Sequence, residues 1–521
     1  MIATNEHDRY DCHGDVMGLA ETVPIVRPAR AARAALRLAL CVVVSACPSA
    51  LAKTRFRSSQ IEGKGSEILF SDVDGDHLKD VLLIDEPNVV VFYHDAQKGF
   101  STKSDIVYGL GDAPSAVWPA QLGADAESLL VMTVDGVAVV NFVQRNAPPV
   151  REQIIAQRTI IPGSLETPAV HYFPLSAKAD NHPPSILVPA ENGLQIWQHK
   201  NGWQCVQSLE DFLSRTILAF EEGPGYDTTI RLNMNVGDAN GDGRDDIIVR
   251  RLEGPSETFA VHLQEQDGLF AVEPTLSWAG QWDWSWSCWV DINKDKNIDL
   301  IRSKWLYEPW FLPGTRTGKV LVRIYVADEK GRIPAEPQQV FRKNDWTDSI
   351  PIVDLDDDGH VDLVLGYSGF DTREGFRKAF MAKQLDFNLR FHFYRPGIGY
   401  PEKPDFQRDL AIHLDRHSID MNWGRRRYFK RFVDLSGDFD GDGDLDLLVR
   451  DTADRVSVYS FVSRQVGFDR KPAVTFDHTE PVESFIIGDL NDDGISDLTM
   501  KLRNRNAFKI FVSRAQQGDI R

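Results

Sequence analysis

Cysteine is scarce in this chain and poorly placed for cross-linking. Of five in 521 residues, Cys12, Cys41 and Cys47 fall in the first fifty, which leaves Cys205 and Cys288 for everything else. A disulfide framework is therefore excluded as the source of stability. Positive charge is also in deficit, with 58 Lys and Arg against 77 Asp and Glu and a net charge of −19. That balance disfavours nucleic acid, whose binding depends on neutralising phosphates. Beyond residue 52 no apolar run is long enough to span a bilayer. Also missing are G-x-S-x-G, H-E-x-x-H and a Gly-rich phosphate loop, the common signatures of serine hydrolases, zinc proteases and nucleotide binders.

What the chain does have is a repeated acidic loop. DFDGDGDLDLLV, from Asp438, places acids at positions 1, 3, 5, 7 and 9 and then turns apolar. Alternating carboxylates of this kind gather oxygen ligands around a hard cation. An EF-hand is ruled out, because position 12 is Val449 and a strand-like LLV stands where a helix should start. The pattern recurs as DVDGDHLKD from Asp72, DANGDGRDD from Asp238, DINKDKNID from Asp291, DLDDDGHVD from Asp354 and DLNDDGISD from Asp489. In all six copies positions 1, 5 and 9 are Asp, position 3 is Asp or Asn, and position 10 is aliphatic. The six loops hold 25 of the 77 acidic residues, so much of the negative charge belongs to them.

Each loop lies between short apolar segments such as EILFSD and DVLLID, followed by NVVVFYH, a Gly turn and another extended stretch. Runs of β-branched residues bounded by turn signals indicate strands. Strand, loop, strand, turn, strand, Gly turn, strand is one four-stranded propeller blade. Two further copies near Ala120 and Ala177 keep the strands and lose the acids, which gives eight units and an all-β propeller, with seven blades as the alternative. The last unit has three strand segments, and the N-terminal FRSSQIE can supply the fourth and clasp the ring.

The loops resemble those of the FG-GAP/VCBS repeat family, the calcium-binding propeller blades also found in integrin α-subunit heads. The resemblance covers nearly the whole chain after residue 60. It implies Ca²⁺ bound by side chains at positions 1, 3, 5 and 9 with the carbonyl at 7. Carried onto this chain, that assigns Asp72, Asp74, Asp76 and Asp80 to the first site and Asp238, Asn240, Asp242 and Asp246 to the second. The third is Asp291, Asn293, Asp295 and Asp299, and the fourth Asp354, Asp356, Asp358 and Asp362. The fifth is Asp438, Asp440, Asp442 and Asp446, and the sixth Asp489, Asn491, Asp493 and Asp497. The Phe-Gly and Gly-Ala-Pro signatures are mostly missing, His77 stands where position 6 usually has Gly, and the third loop carries Lys294 and Lys296. If position 6 needs φ > 0, a side chain there costs on the order of 1 kcal/mol against Gly, so the loop at Asp291 is expected to be the weakest site.

Residues 1–52 read as an export segment. RPARAARAALRLALCVVVSACPSALA has a basic n-region, a short apolar core and an Ala-Leu-Ala end. VSAC, ending at Cys47, also resembles a bacterial lipobox whose cysteine would carry a lipid anchor. Soluble export and lipoprotein processing both stay open, and the expected location is periplasmic, outer-membrane-associated or extracellular. Residues 53–521 then form one propeller domain.

In a propeller the 1–2 and 3–4 loops share one face and the 2–3 and interblade loops the other. Three insertions map to that second face: 303–318 and 367–387 as 2–3 loops, the latter with a short amphipathic helix, and 413–429 as an interblade connection. Together they carry Trp305, Tyr307, Trp310, Arg373, Arg377, Trp423, Arg425 and Arg426. Flat rings stack on sugars or apolar groups, and Arg forks pair with carboxylates or phosphates. The expectation is an interaction module whose rim binds a glycan or an envelope or extracellular protein. The alternative is a polysaccharide lyase or hydrolase on the same rim, for which His392, His413 and His417 are the only nearby bases.

Overall fold

The structure is a computed structural model that describes residues 55–514, apart from 161–175, 211–213, 220–225, 282–285, 310–315, 345–351, 369–376, 414–431 and breaks of one or two residues. Eight antiparallel four-stranded sheets follow one another as the blades of a propeller ring. Blade 1 consists of Glu67–Ser71, Asp80–Asp85, Asn88–Phe92 and Ile106–Gly109. Blade 2 runs from Ala116–Ala120 to Val150–Ile155, blade 3 from Ser176–Ala179 to Trp203–Leu209, and blade 4 from Met234–Gly237 to Leu276–Gln281. Blade 5 runs from Trp286–Val290 to Gln339–Asn344, blade 6 from Ile352–Val353 to Phe406–His413, and blade 7 from Val433–Gly437 to Val474–Asp477. Blade 8 has three late strands, from Val482–Gly488 to Ala507–Arg514, and its fourth is Arg55–Glu62 from the other end of the chain. That strand pairs with Ala507–Arg514 in unbroken register, from Arg55 opposite Arg514 to Glu62 opposite Ala507. The expected clasp and the count of eight blades are both present.

The core lies between blades, which explains the continuous apolar runs in the second strands. Side chains alternate across a strand, and both faces of these sheets are covered. Leu82 and Ile84 pack with Val117, Leu129 and Val131 of blade 2, while Val81 and Leu83 pack with Phe508 and Ile510 of blade 8. Each fully buried aliphatic side chain contributes about 1.5–3 kcal/mol through burial. Similar clusters join blades 2, 3 and 4, then 4 and 5, 5 and 6, 6 and 7, and 7 and 8. Trp289 belongs to this packing, 5.2 Å from the Phe259 ring across the blade 4–5 joint.

Two expected insertions take a different form. Residues 303–309 and 316–318 are not loop. Strands Asp299–Pro309 and Arg316–Tyr325 of blade 5 run on as one long hairpin, paired out to Pro309 opposite Arg316. Within 367–387, Tyr367–Ser368 and Gln384–Phe387 are strand, and among the described residues Arg377 is α-helical and leads into a π-turn at Lys378–Ala382. A further hairpin, Ser214–Ala219 with Tyr226–Arg231, stands between blades 3 and 4. Cys205 is exposed on blade 3 and Cys288 is buried in blade 5.

Candidate metal centre

The six acidic loops are one structure repeated in consecutive blades, from blade 4 round to blade 1. Each joins the first strand of its blade to the second. Positions 4 and 6 are left-handed in every copy. Position 4 has φ of 79° at Gly75, 72° at Gly241, 61° at Lys294, 49° at Asp357, 81° at Gly441 and 55° at Asp492. Position 6 has φ of 67° at His77, 91° at Gly243, 67° at Lys296, 83° at Gly359, 103° at Gly443 and 83° at Gly494. The loop at Asp291 therefore holds lysines in both strained positions, which glycine would occupy at lower cost.

These two reversals curl the backbone around the first aspartate. The position-6 N–H donates to position 1 in all six loops, for example Gly443 to Asp438 at 2.9 Å and Gly243 to Asp238 at 2.8 Å. The position-7 N–H donates to position 5 in all six, as Asp444 does to Asp442 at 3.0 Å. Position 9 opens the second strand and is buried in each copy. One of its oxygens accepts the N–H of position 2 and the other an amide of the 3–4 connection, except at Asp497, where the second donor is Ser513 near the end of the third strand. For Asp80 these donors are Val73 at 3.2 Å and His94 at 2.8 Å. For Asp362 they are Leu355 at 3.2 Å and Tyr394 at 3.0 Å. Position 9 thus ties the loop to the other connection on the same face.

The carboxylates then converge. Single oxygens of Asp72, Asp74 and Asp80 lie within 4.8 Å of one another, as do those of Asp354, Asp356 and Asp362 and of Asp438, Asp440 and Asp446. Burial pushes position 9 up to about 8 at Asp80, Asp362 and Asp446 and to about 7 at Asp246, Asp299 and Asp497, opposed by the backbone N–H bonds they accept. Desolvation and neighbouring acids likewise raise Asp442 to about 6. Two buried oxygens, Asp74 Oδ1 and Asn491 Oδ1, have no hydrogen-bond partner, and both are at position 3. A buried acceptor without a partner is costly, and a hard cation within the curl would satisfy it. The donor set fits a metal that prefers oxygen ligands.

Neighbouring loops are also hydrogen-bonded to one another. The position-8 N–H of Lys79 donates to Leu490 O, Val361 to Ile292 O, Leu445 to Leu355 O and Ser496 to Asp438 O, at 2.6–3.0 Å. Lys294 of the third loop reaches out of its own curl, its Nζ donating to Asp358 O at 3.0 Å. These ties link five of the loops in series, from Asp291 round to Asp72, while the loop at Asp238 is tied instead to blade 3, Asp245 N–H donating to Lys178 O at 3.1 Å.

On the opposite face the structure places three of the expected rim residues. Trp305 and Tyr307 occupy alternate positions of the blade 5 hairpin, paired with Val320 and Gly318. Arg377 is exposed at the start of the π-turn in blade 6. Trp310, Arg373, Trp423, Arg425 and Arg426 lie outside the described residues, as does His417. His392 is not a free base: it is buried, with Nδ1 2.8 Å from Pro401 O, and burial lowers its pKa. His262 ends the matching strand of blade 4 and holds Ala271 O in the same way, at 2.8 Å.

Two arginines at the loops went unnoticed in the sequence. Arg145 pairs with Asp74 and Asp76, and Arg464 with Asp356 and Asp358. Both end a Phe-Val-x-Arg stretch, at 142–145 and 461–464, but the same pattern at 511–514 lies within strand Ala507–Arg514, so the match alone does not single them out.

Comparison with known proteins agrees with this geometry. Residues 223–301 and 438–499 match the FG-GAP-like repeat family, and these spans contain the loops at Asp238, Asp291, Asp438 and Asp489. A search of curated proteins finds no match. Among solved structures, an Agrocybe aegerita lectin described as recognising non-reducing terminal N-acetylglucosamine aligns at 12% identity and a TM-score of 0.26, over 55% of this chain and 80% of that one. That likeness is too slight to carry an argument. The acidic loops, the eight four-stranded sheets and the family match agree: the chain is an eight-bladed β-propeller in which residues 223–301 and 438–499 match FG-GAP-like repeats.

Proposed function

We propose that this protein is an exported interaction module whose propeller is clasped by calcium, with up to six ions in the loops from Asp72 to Asp489. The observation that carries this reading is the repeated curl itself: converging carboxylates with buried, unpartnered oxygens at Asp74 and Asn491. Ca²⁺ takes six to eight oxygens at about 2.3–2.6 Å, and positions 1, 3, 5 and 9 would supply them. The ion would neutralise acids that burial otherwise disfavours in their charged form. Export suits the same reading, since free calcium is plentiful outside the cytosol.

The rim opposite the loops is the proposed ligand face. The blade 5 hairpin extends this face with Trp305 and Tyr307, Arg377 stands on the neighbouring connection, and Trp310, Arg373, Trp423, Arg425 and Arg426 belong to the same three connections in sequence. Aromatic and guanidinium groups on an acidic protein suit an anionic glycan or an envelope protein. Affinity electrophoresis of the calcium-loaded protein through gels carrying neutral or acidic polysaccharides tests the ligand class. Retardation that is lost in Trp305→Ala or Arg425→Ala supports a glycan site. Unretarded migration in every gel overturns it in favour of a protein partner.

A further inference from the structure

Arg145 and Arg464 are two copies of one device. Each follows the third strand of its blade at the same register: Leu129 pairs with Val140 and Leu447 with Tyr459, and the arginine comes five residues after that partner. Each leaves its own blade for the acidic loop of the blade before. Arg145, from blade 2, pairs with Asp74 at position 3 and with Asp76 Oδ2 at position 5, the latter at 2.5 Å, and its Nη2 also donates to His94 O at 2.9 Å. Arg464, from blade 7, pairs with Asp358 at position 5 and with both oxygens of Asp356 at position 3, Oδ1 at 3.1 Å. Each guanidinium also lies over the aromatic ring just past the third strand of the preceding blade, Tyr93 at 5.2 Å and Phe393 at 5.0 Å. The remaining acidic loops show no such incoming arginine among the described residues. At Asp440 the position-3 carboxylate accepts a bond from Ser460 of its own blade, at 2.6 Å.

We infer that Arg145 and Arg464 are inter-blade latches that share the position-3 and position-5 carboxylates with the bound cation, so that the loops at Asp72 and Asp354 stay closed with less help from calcium than the loop at Asp438. This rests on the proposal that the loops bind calcium. A guanidinium fork matches two adjacent carboxylates geometrically, and its unit charge is present whether or not the ion is. It therefore steadies the ion-free loop. The same charge opposes a divalent ion a few ångströms away, so it weakens calcium binding at that loop. Five acids and no arginine make the Asp438 loop the tight one.

The test is calcium titration by calorimetry, paired with melting in calcium and after its removal, for the full protein and for Arg464→Gln, Arg464→Lys and Arg145→Gln. Losing the charge is expected to tighten one class of site on the order of tenfold, to lower the melting temperature of the ion-free protein and to leave that of the loaded protein nearly unchanged. Arg464→Lys keeps the charge and is expected to retain the wild-type affinity. Equal losses of melting temperature with and without calcium, at unchanged affinity, would show a plain structural tie and overturn the inference. Weaker calcium binding in the Gln variants would overturn it as well. If wild type binds no calcium, the functional reading itself fails, and the sharing of carboxylates with it. Arg145→Gln gives an independent second reading should the Arg464 variants fold poorly.

Discussion

Blades 4 to 8 and blade 1 close the joint between their first and second strands with a curl of alternating acids, whereas the same joint holds only Asp125 and Glu127 in blade 2 and Asp180 in blade 3, without that spacing. The contrast is sharpest at position 9. In the six acidic blades a buried aspartate accepts two backbone N–H bonds, as Asp446 does from Phe439 at 2.8 Å and Phe461 at 3.2 Å. In blade 2 that register belongs to Ser128, which donates to Asn141 Oδ1 at 2.7 Å. In blade 3 Ser185 stands there and accepts from Gln198 Nε2 at 3.3 Å. Asn141 and Gln198 occupy the register held by Tyr93 in blade 1. A neutral hydroxyl–amide pair thus takes over from a carboxylate. The lesson is that the blade needs a satisfied polar group at this point and does not need a charge there. The charge is what a metal would use.

The largest expected effect is on the six acidic blades. Removing calcium is expected to lower the melting temperature by ten degrees or more, because metal bound only to the native state stabilises it by mass action. Scanning calorimetry with and without chelator reads this directly, and an unmoved transition would break the comparison. Next come substitutions at position 9. Asp446→Ala strands two buried N–H groups and is expected to cost about 2–4 kcal/mol, against about 1 kcal/mol for Ser128→Ala. Denaturant titration in calcium would show whether the two joints differ as described.

A smaller effect follows from pH. Free aspartate titrates near 3.9, whereas burial holds the six position-9 carboxyls near 7 or 8 in the absence of an ion. Between those limits the ion-free native chain keeps protons that the unfolded chain has released. Its stability is therefore expected to fall as pH rises from about 4 to 8. Calcium displaces those protons and should flatten the profile, as melting at pH 5.5 and pH 8 in the two states would reveal. The smallest change is Lys296→Gly, where φ is 67°. Relief of the left-handed lysine is expected to stabilise the protein by about 1 kcal/mol and to strengthen calcium binding at the Asp291 loop.

The loops, the blade count and the clasp were legible because each repeats a strict local pattern. FRSSQIE reads as a strand with no partner nearby, and the last unit lacked one. The hairpin at 214–231 was less visible, although RTILA and YDTTIR flank a Gly-Pro-Gly turn, because an extra strand pair breaks the four-strand rhythm used to find the blades. In sequence the blade 5 insertion at 303–318 reads as a 2–3 loop, yet cross-strand pairing carries the ladder to Pro309. Arg145 and Arg464 were out of reach for another reason. Their partners lie 69 and 106 residues away in sequence, at Asp76 and Asp358, and only the ring brings them together.

The central claim is that the repeated curl is a calcium site. Counting calcium per chain after equilibrium dialysis, for wild type and Asp442→Ala, tests it most directly. The account predicts up to six ions, with the loop at Asp291 last to fill, and one fewer in the variant. A chain that takes up no calcium, or a variant that binds as many ions as wild type, would contradict it.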